Sequence, residues 1–532
     1  MAEIKSRERK FSHFKIYFRE YSDYTGIHGL KFIGERRSLC EKIIWTIVFF
    51  MSLTICILIV YEVFKKWHKS PVVVNFATEQ VNIFDITFPA VTICPETKVY
   101  SDYFNFSYSL MNVNETTPEQ LKKLQYMSLL CDSNVLLDRI PKNNFTDEDF
   151  YTFLKTGAPN FLRKCSWMGR DIPCEQIFQP LYTDEGLCVT FNMLSKREMF
   201  TDKAENIDPP PQSYIDRSSA GWSADHGYHA GVSSDTYPRR ALLSGSTNAL
   251  EVSFALNNTD VDYGCTHFQG YKVVLHNPIR FPTISTHYFR IPLKKSVMVA
   301  ITPSMILTSE DLRDYNTEKR NCYFQSDTKL TYFSNYSQIN CQMECDIKMT
   351  IDRCQCVEYY MPRNKSMPIC GIGKMECLQQ VSHIRSYIYL PQVYIHNHMY
   401  RKKHHADQGL CHCPPMCNNM DYNVEITESD YDWPRKMKAI GIDVVQEDEE
   451  GLATSELQIY FKQNMFIPQQ RSEMYGTFEF LANVGGLLGL FVGFSLISMI
   501  ELVYFLSLRI ICNLNLYNNW YGKPKSPIMN LA

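Results

Sequence analysis

Two long runs without a charged residue, one near each end of the chain, restrict the possible folds more than anything else in the sequence. Residues 43–61 and 481–500 contain no Asp, Glu, Lys or Arg. As a helix rising about 1.5 Å per residue the first spans roughly 28 Å, close to the hydrocarbon thickness of a bilayer. Lipid offers the backbone no partner, and neither run alternates like a barrel strand, so both are expected to be helices. Some forty residues of charge-bearing chain precede the first run, which is also too long for a signal's apolar core, so a cleavable signal peptide is excluded. Residues 1–42 carry ten Lys and Arg against six acids, and after Glu501 the charged residues are Arg509, Lys523 and Lys525. The positive-inside rule therefore puts both termini in the cytoplasm, with Lys65, Lys66 and Lys69 as a counterweight beyond the first span. Trp45 and Trp67 bracket that span as interface anchors. The expected division is a cytoplasmic segment 1–42, a span 43–64, an external domain 65–473, a span 474–509 and a cytoplasmic tail 510–532.

The stretch between the spans carries the marks of an oxidising compartment. Asn105, Asn114, Asn144, Asn257, Asn335 and Asn364 each begin an Asn-X-Ser/Thr acceptor, and all lie there. Of 19 cysteines, Cys40, Cys56 and Cys512 fall in or beside the spans. The rest lie between Cys94 and Cys417 and are even in number, which reads as a disulfide framework. The 411–417 cluster invites a zinc reading, but its spacing fits no finger or ribbon, and no metal or cofactor is expected. A net charge of −3 supplies no basic stripe for nucleic acid. Alternation over 250–256, 271–275 and 457–461 predicts strands, helical spacing covers 145–154 and 376–389, and the domain reads as α+β. Residues 202–245, rich in Ser, Gly, Pro and Asp, predict a long exposed excursion. The histidines at 396, 398, 404 and 405 around Arg401 and the acidic run 447–450 read as solvated loops, with proton or cation sensing as the alternative.

The second run differs from a plain anchor. Ala482, Gly485, Gly486, Gly489 and Gly493 fall within about 100° of one another on a helix turning 100° per residue. Such a stripe serves close helix packing or lines a pore. A carboxylate at Glu501 needs water or a partner, and a break at Gly493-Phe494-Ser495 is tolerable only where backbone lines a water-filled cavity. Two helices cannot enclose that cavity, so several copies would surround it. A membrane-anchored hydrolase would need an external catalytic constellation, and the chain has no Walker loop, no His-Glu-x-x-His and no nucleophile elbow; no enzyme is expected.

These residues carry a resemblance. The 483–501 stretch is similar to the second transmembrane signature of the degenerin, epithelial sodium channel and acid-sensing channel family. Ile27-His28-Gly29-Leu30, the segments 88–95 and 186–192, Asn340-Cys341 with Cys345, Cys354 and Cys356 with 357–362, and 411–417 recur in family order, from about residue 13 to 510. The segments 269–276 and 237–240, with Cys131 and Cys265, look most like the insect pickpocket branch. The resemblance implies a homo- or heterotrimer of multi-pass plasma-membrane subunits, each with a clenched-hand external domain between two helices. It implies a sodium-permeable, amiloride-sensitive channel gated by an external chemical, osmotic or mechanical stimulus, with an external ligand possible and Na⁺ as the permeant ion. The alternative is a non-conducting or modulatory subunit of a heteromeric channel.

The resemblance also implies roles. Gly493, Phe494 and Ser495 would form the selectivity filter; Ala482, Asn483, Gly485, Gly486, Gly489 and Glu501 would line the pore; His28, Gly29 and Ala482 would act in gating. Phe494 stands where acid-sensing and epithelial members have a small residue, and Asn483 where acid-sensing members have Asp. Proton gating is not implied, because the acid-sensing pocket cannot be traced through this chain. Implied disulfides are Cys94–Cys188, Cys165–Cys174, Cys322–Cys417, Cys341–Cys413, Cys345–Cys411, Cys354–Cys377 and Cys356–Cys370, which leaves Cys131 with Cys265.

Overall fold

The computed structural model describes residues 2–69, 72–131, 139–208, 211–389, 412–441, 452–474 and 476–522. The chain forms two compact units, Met1–Val73 with Ser472–Ala532, and Val74–Arg471. Cys411, the 396–405 histidines and the 447–450 acids lie outside the described residues.

Among its described residues the terminal unit is mainly helical. An N-terminal helix, Ala2–Tyr24, leads to a short helix, Leu30–Gly34, which is entered through left-handed Gly29 at φ 83°. The first membrane helix runs Leu39–Lys69, past both ends of the uncharged run. No helix breaker stands at either end, and long side chains such as Lys42 and Lys65 can carry their charge to the interface while the backbone stays helical. Trp45 stacks on Phe32 at 4.3 Å and Trp67 on Phe480 at 4.8 Å. The second membrane segment is two helices, Thr477–Val492 and Leu496–Leu506, followed by Leu508–Tyr517. By length and composition the two apolar segments fit a two-span chain.

Two large sheets dominate the central unit, beside three two-stranded ones among the described residues. The smaller of the large sheets is antiparallel, in the order Phe289–Ile291, Tyr271–His276, Ala90–Pro95, Gly186–Phe191, Phe178–Thr183. In the larger, Lys295–Thr308 lies antiparallel to Asn419–Asp430 on one side and parallel to Leu452–Phe461 on the other. The order continues through Leu250–Asn257 and Leu162–Trp167 to Arg170–Ile172. Leu452–Phe461 alternates buried and half-buried residues along its whole length, as one packed sheet face requires. Its Leu457, Ile459 and Phe461 meet Val297, Val299, Ile301, Val252 and Phe254 in one apolar core. A second core joins Phe150, Phe153 and Leu154 to Phe281, Phe333, Tyr359 and Met361.

Two sequence expectations are corrected here. Helical spacing over 145–154 holds only from Asp149 onward, because Phe145–Thr146 pairs instead with Ile369–Cys370. The 202–245 stretch is irregular but not simply exposed. Tyr237, Arg240 and Ala241 are buried, and the Arg240 guanidinium lies between the rings of Phe84 at 4.0 Å and Tyr228 at 4.4 Å. It also donates to the carbonyls of Phe84, Val232 and Ser233. One cation satisfied by backbone carbonyls and ring faces anchors a segment whose composition alone predicts exposure.

Candidate membrane site

The second membrane segment is placed by an asymmetry in its side chains. Leu487, Leu488, Phe491 and Val492 pack with Phe49, Leu53, Cys56 and Val60 of the first membrane helix, and Ser52 Oγ donates to the Phe491 carbonyl at 2.7 Å. The opposite, small-residue face is left uncovered. A Cβ added at Gly485, Gly486 or Gly489 would meet nothing within 4 Å, and Ala482 and Asn483 are exposed. Among the described residues of the chain, Gly485, Gly486 and Gly489 therefore serve no helix packing.

The stripe ends in a helix break. Gly493 adopts φ 69°, a left-handed conformation that costs an L side chain about 1–2 kcal/mol but glycine almost nothing. Its N–H closes on the Gly489 carbonyl at 3.0 Å and that of Phe494 on Leu488 at 3.2 Å. Ser495 then caps the next helix, its Oγ accepting from the Ser498 N–H at 3.2 Å. Phe494 turns into the apolar cluster with Ile27 and Phe491, while Ser495 stays exposed. Ser498 was not singled out in the sequence, because it enters the cap through its backbone N–H and its side chain follows no local motif. It is buried, and a Cβ on Gly26 would touch its Oγ at 3.4 Å.

His28 braces this break. Its N–H donates to the Val492 carbonyl at 2.9 Å, one of those freed by the interruption. Its ring lies so close to Gly493 that an added Cβ would stand 2.6 Å from Cδ2 and 2.8 Å from Cγ and Nε2. Left-handed Gly29 turns the chain away at that point. Two residues 465 positions apart are thus fitted to each other, each requiring glycine or a tight turn next to it. Glu501, below the break, is half-buried, and its Oε2 has no hydrogen-bond partner among the described residues.

The same unit ties the two ends of the chain together. Tyr17 donates to the Phe505 carbonyl, Arg509 pairs with Glu20, and His13 stacks on Tyr521 at 3.9 Å. Sequence reasoning missed this clasp, because its members carry no local motif.

In the central unit the structure joins Cys94–Cys188, Cys131–Cys265, Cys165–Cys174, Cys322–Cys417, Cys341–Cys413, Cys354–Cys377 and Cys356–Cys370. The pairing of Cys345 with Cys411 lies outside the described residues. Cys354–Cys377 ties the helix Gln338–Cys354 to the helix Met375–Tyr389. Between these helices Asp346 pairs with Arg385 at 3.1 Å, and burial raises its carboxyl to about 6 despite that partner. Asn105, Asn114 and Asn144 are exposed; Asn257, Asn335 and Asn364 are half-exposed. Among the described residues no group of three His, Cys, Asp or Glu is placed to hold a metal ion.

The sequence has similar counterparts among known proteins. Residues 21–505 match the model of the amiloride-sensitive sodium channel family. Pickpocket protein 28 of Drosophila melanogaster is 27% identical over 504 residues, which span 92% of this chain and 78% of that protein. Sodium channel protein Nach of the same species is 23% identical, covering 92% of this chain and 87% of its own length. The bile acid-sensitive ion channel of Rattus norvegicus is also 23% identical, over 94% and 88% of the two chains.

Proposed function

The chain belongs to the amiloride-sensitive sodium channel family, and we propose that it conducts sodium as one subunit of a homo- or heterotrimer at the plasma membrane. In this reading both termini are cytoplasmic and the disulfide-linked central unit is extracellular, receiving a chemical, osmotic or mechanical stimulus. Ala482, Asn483, Gly485, Gly486 and Gly489 line the pore above a filter at Gly493, Phe494 and Ser495, and Glu501 offers a carboxylate below it. His28 and Gly29 hold the filter from beneath and act in gating.

The observation that carries the reading is the uncovered glycine face. A stripe that made room for helix packing would have the first span against it, yet that span takes the Leu487 and Phe491 side. The open face is available to symmetry-related copies around an aqueous axis, where freed carbonyls can replace the hydration of a cation.

The test is current from the full chain in oocytes, alone and with related subunits, under external sodium, potassium and N-methyl-glucamine. A sodium current blocked by amiloride, enlarged by a bulky residue at Ala482, supports the proposal. Surface-expressed chain that carries no current alone or with Ala482 enlarged, but changes the currents of its relatives, selects the modulatory-subunit reading instead.

A further inference from the structure

The two halves of the second membrane segment are held by different parts of the chain. Above the break, Leu487, Leu488, Phe491 and Phe494 lie in the apolar cluster with the first membrane helix. Below it, the buried residues of Leu496–Leu506 are Ser498 and Phe505, and Phe505 lies outside that cluster. Both meet the N-terminal segment instead. A Cβ on Gly26 would stand 3.4 Å from Ser498 Oγ, and the Phe505 ring lies 5.2 Å from that of Tyr21 and 6.0 Å from that of Tyr17. From His28 at Val492, through Gly26 at Ser498, to Tyr21 and Tyr17 at Phe505, the contacts run antiparallel along the two stretches.

The lower helix, 11 residues long, lies between two departures from helical geometry. One is left-handed Gly493; the other is Ser507, at φ −126° and ψ −80°. Beside each, the N-terminal segment takes a carbonyl: Val492 accepts from the His28 N–H and Phe505 from the Tyr17 hydroxyl. Past the lower bend Arg509 pairs with Glu20. A helix bonded within itself moves as a unit, and movement between packed pieces is absorbed where φ and ψ leave the helical region. Leu496–Leu506 is such a piece, and its position follows whatever grips it. Among the described residues that grip is the N-terminal segment.

We propose that Tyr17, Glu20 and Arg509 are positioning residues for gating. Through them the N-terminal helix acts as a lever: its displacement swings Leu496–Leu506, with Glu501, about Gly493 while the upper half stays on the first span. The proposal rests on the pore reading above and assigns control of the lower pore to a part of the chain that reading leaves without a role. A clasp that served folding alone would lower the number of channels and leave those that arrive unchanged.

Two measurements on the full chain test this. In a Cys40→Ser, Cys512→Ser background, Glu20→Cys with Arg509→Cys is treated with a short bis-maleimide in native membranes and digested for mass spectrometry. A link within one chain is expected, and neither single cysteine should give it; a link only between chains, or none, overturns the clasp. Because this arm needs no current, a link in a chain silent both alone and with its relatives overturns the pore reading, and the lever with it, but keeps the clasp. The second measurement is the open-to-closed ratio in single-channel patches, alone or with related subunits, with surface biotinylation as control. Tyr17→Phe keeps the ring and removes one hydroxyl, so it should fold, and it is expected to change the ratio by about twofold to tenfold. Glu20→Arg and Arg509→Glu are expected to change it in the same direction by about threefold or more, and the two together to return it to within about twofold of wild type. Lys15→Gln, exposed on the same helix, is expected to leave it unchanged. If the charge variants fail to reach the surface, Tyr17→Phe decides. Unchanged ratios at normal surface density, changes of opposite sign, or no recovery in the exchanged pair overturn the proposal.

Discussion

The fit between His28 and Gly493 can be tested by giving Gly493 a methyl group. In Gly493→Ala the left-handed backbone costs about 1–2 kcal/mol. The new Cβ also lands 2.6–2.8 Å from three atoms of the His28 ring, against an ordinary contact of 3.4–4 Å. The ring must retreat by most of an ångström, yet the His28 N–H is bonded to Val492 and the next residue is held at φ 83°. Relief therefore requires the loop to leave the break, and overpacking of this kind costs about 1–3 kcal/mol. His28→Ala removes the ring and with it the second term, leaving the backbone term alone. The double-mutant cycle should show a coupling of at least about 1 kcal/mol, with Gly493→Ala milder in the His28→Ala background. The assay is open probability and sodium-to-potassium reversal potential in single-channel patches, normalised by surface biotinylation so that lost folding is not counted as lost gating. Additive effects, with coupling below about 0.5 kcal/mol, would refute the argument that this contact exists in the working channel.

A Cβ at Gly486 would meet nothing within 4 Å among the described residues, so Gly486→Leu should reach the surface at the wild-type level and still reduce sodium current several-fold; an unchanged current argues against a shared axis. Asp346 has a folded-state carboxyl near 6, above its unfolded value of 3.8, facing Arg385 with Glu358 and Tyr360 close by. The folded unit thus binds the extra proton, and stability falls as pH rises from about 4 through 6, by up to roughly 3 kcal/mol. Asp346→Asn should reduce that dependence in thermal melts, leaving the part carried by Glu358, whose carboxyl burial raises to about 7, and raise the melting point at pH 7.4. Arg240→Ala leaves three carbonyls and two ring faces without their cation and should destabilise by about 2–5 kcal/mol, read as lost surface expression with normal gating in the channels that arrive.

What could be read from sequence was whatever acts within a few residues of itself. The uncharged runs, the alternation that became Leu250–Asn257 and Leu452–Phe461, and the glycine that ends Thr477–Val492 are local events. Their physics is backbone sterics, side-chain period and the need for a cap. The start of the helix at Asp149 was misread because Phe145 takes its conformation from a strand 224 residues away. Arg240 was invisible for the same reason: nothing beside it in the chain foretells two ring faces and three carbonyls.

The membrane site combines both kinds of information, and this explains which part of it needed coordinates. Small residues spaced by three and four, a Gly-X-Ser triplet and a carboxylate eight residues on can be found by eye. That the first span packs on the leucine face, leaving the glycine face open, depends on Ser52 reaching the Phe491 carbonyl and on Cys56 fitting beneath Val492. No periodicity in either helix alone selects that face, since both are apolar all round. The choice matters because small residues are cheap to desolvate on either side. A helix pair could have closed over the stripe, and in this chain a single hydroxyl-to-carbonyl bond and one row of bulky side chains turn it outward. Reversing that preference, by making Ser52 Leu and Leu488 Ala, should draw the first span toward the glycines and silence the channel without altering the central unit. Unchanged currents from a well-expressed Ser52→Leu, Leu488→Ala double variant would show that packing within one subunit does not set which face meets the axis.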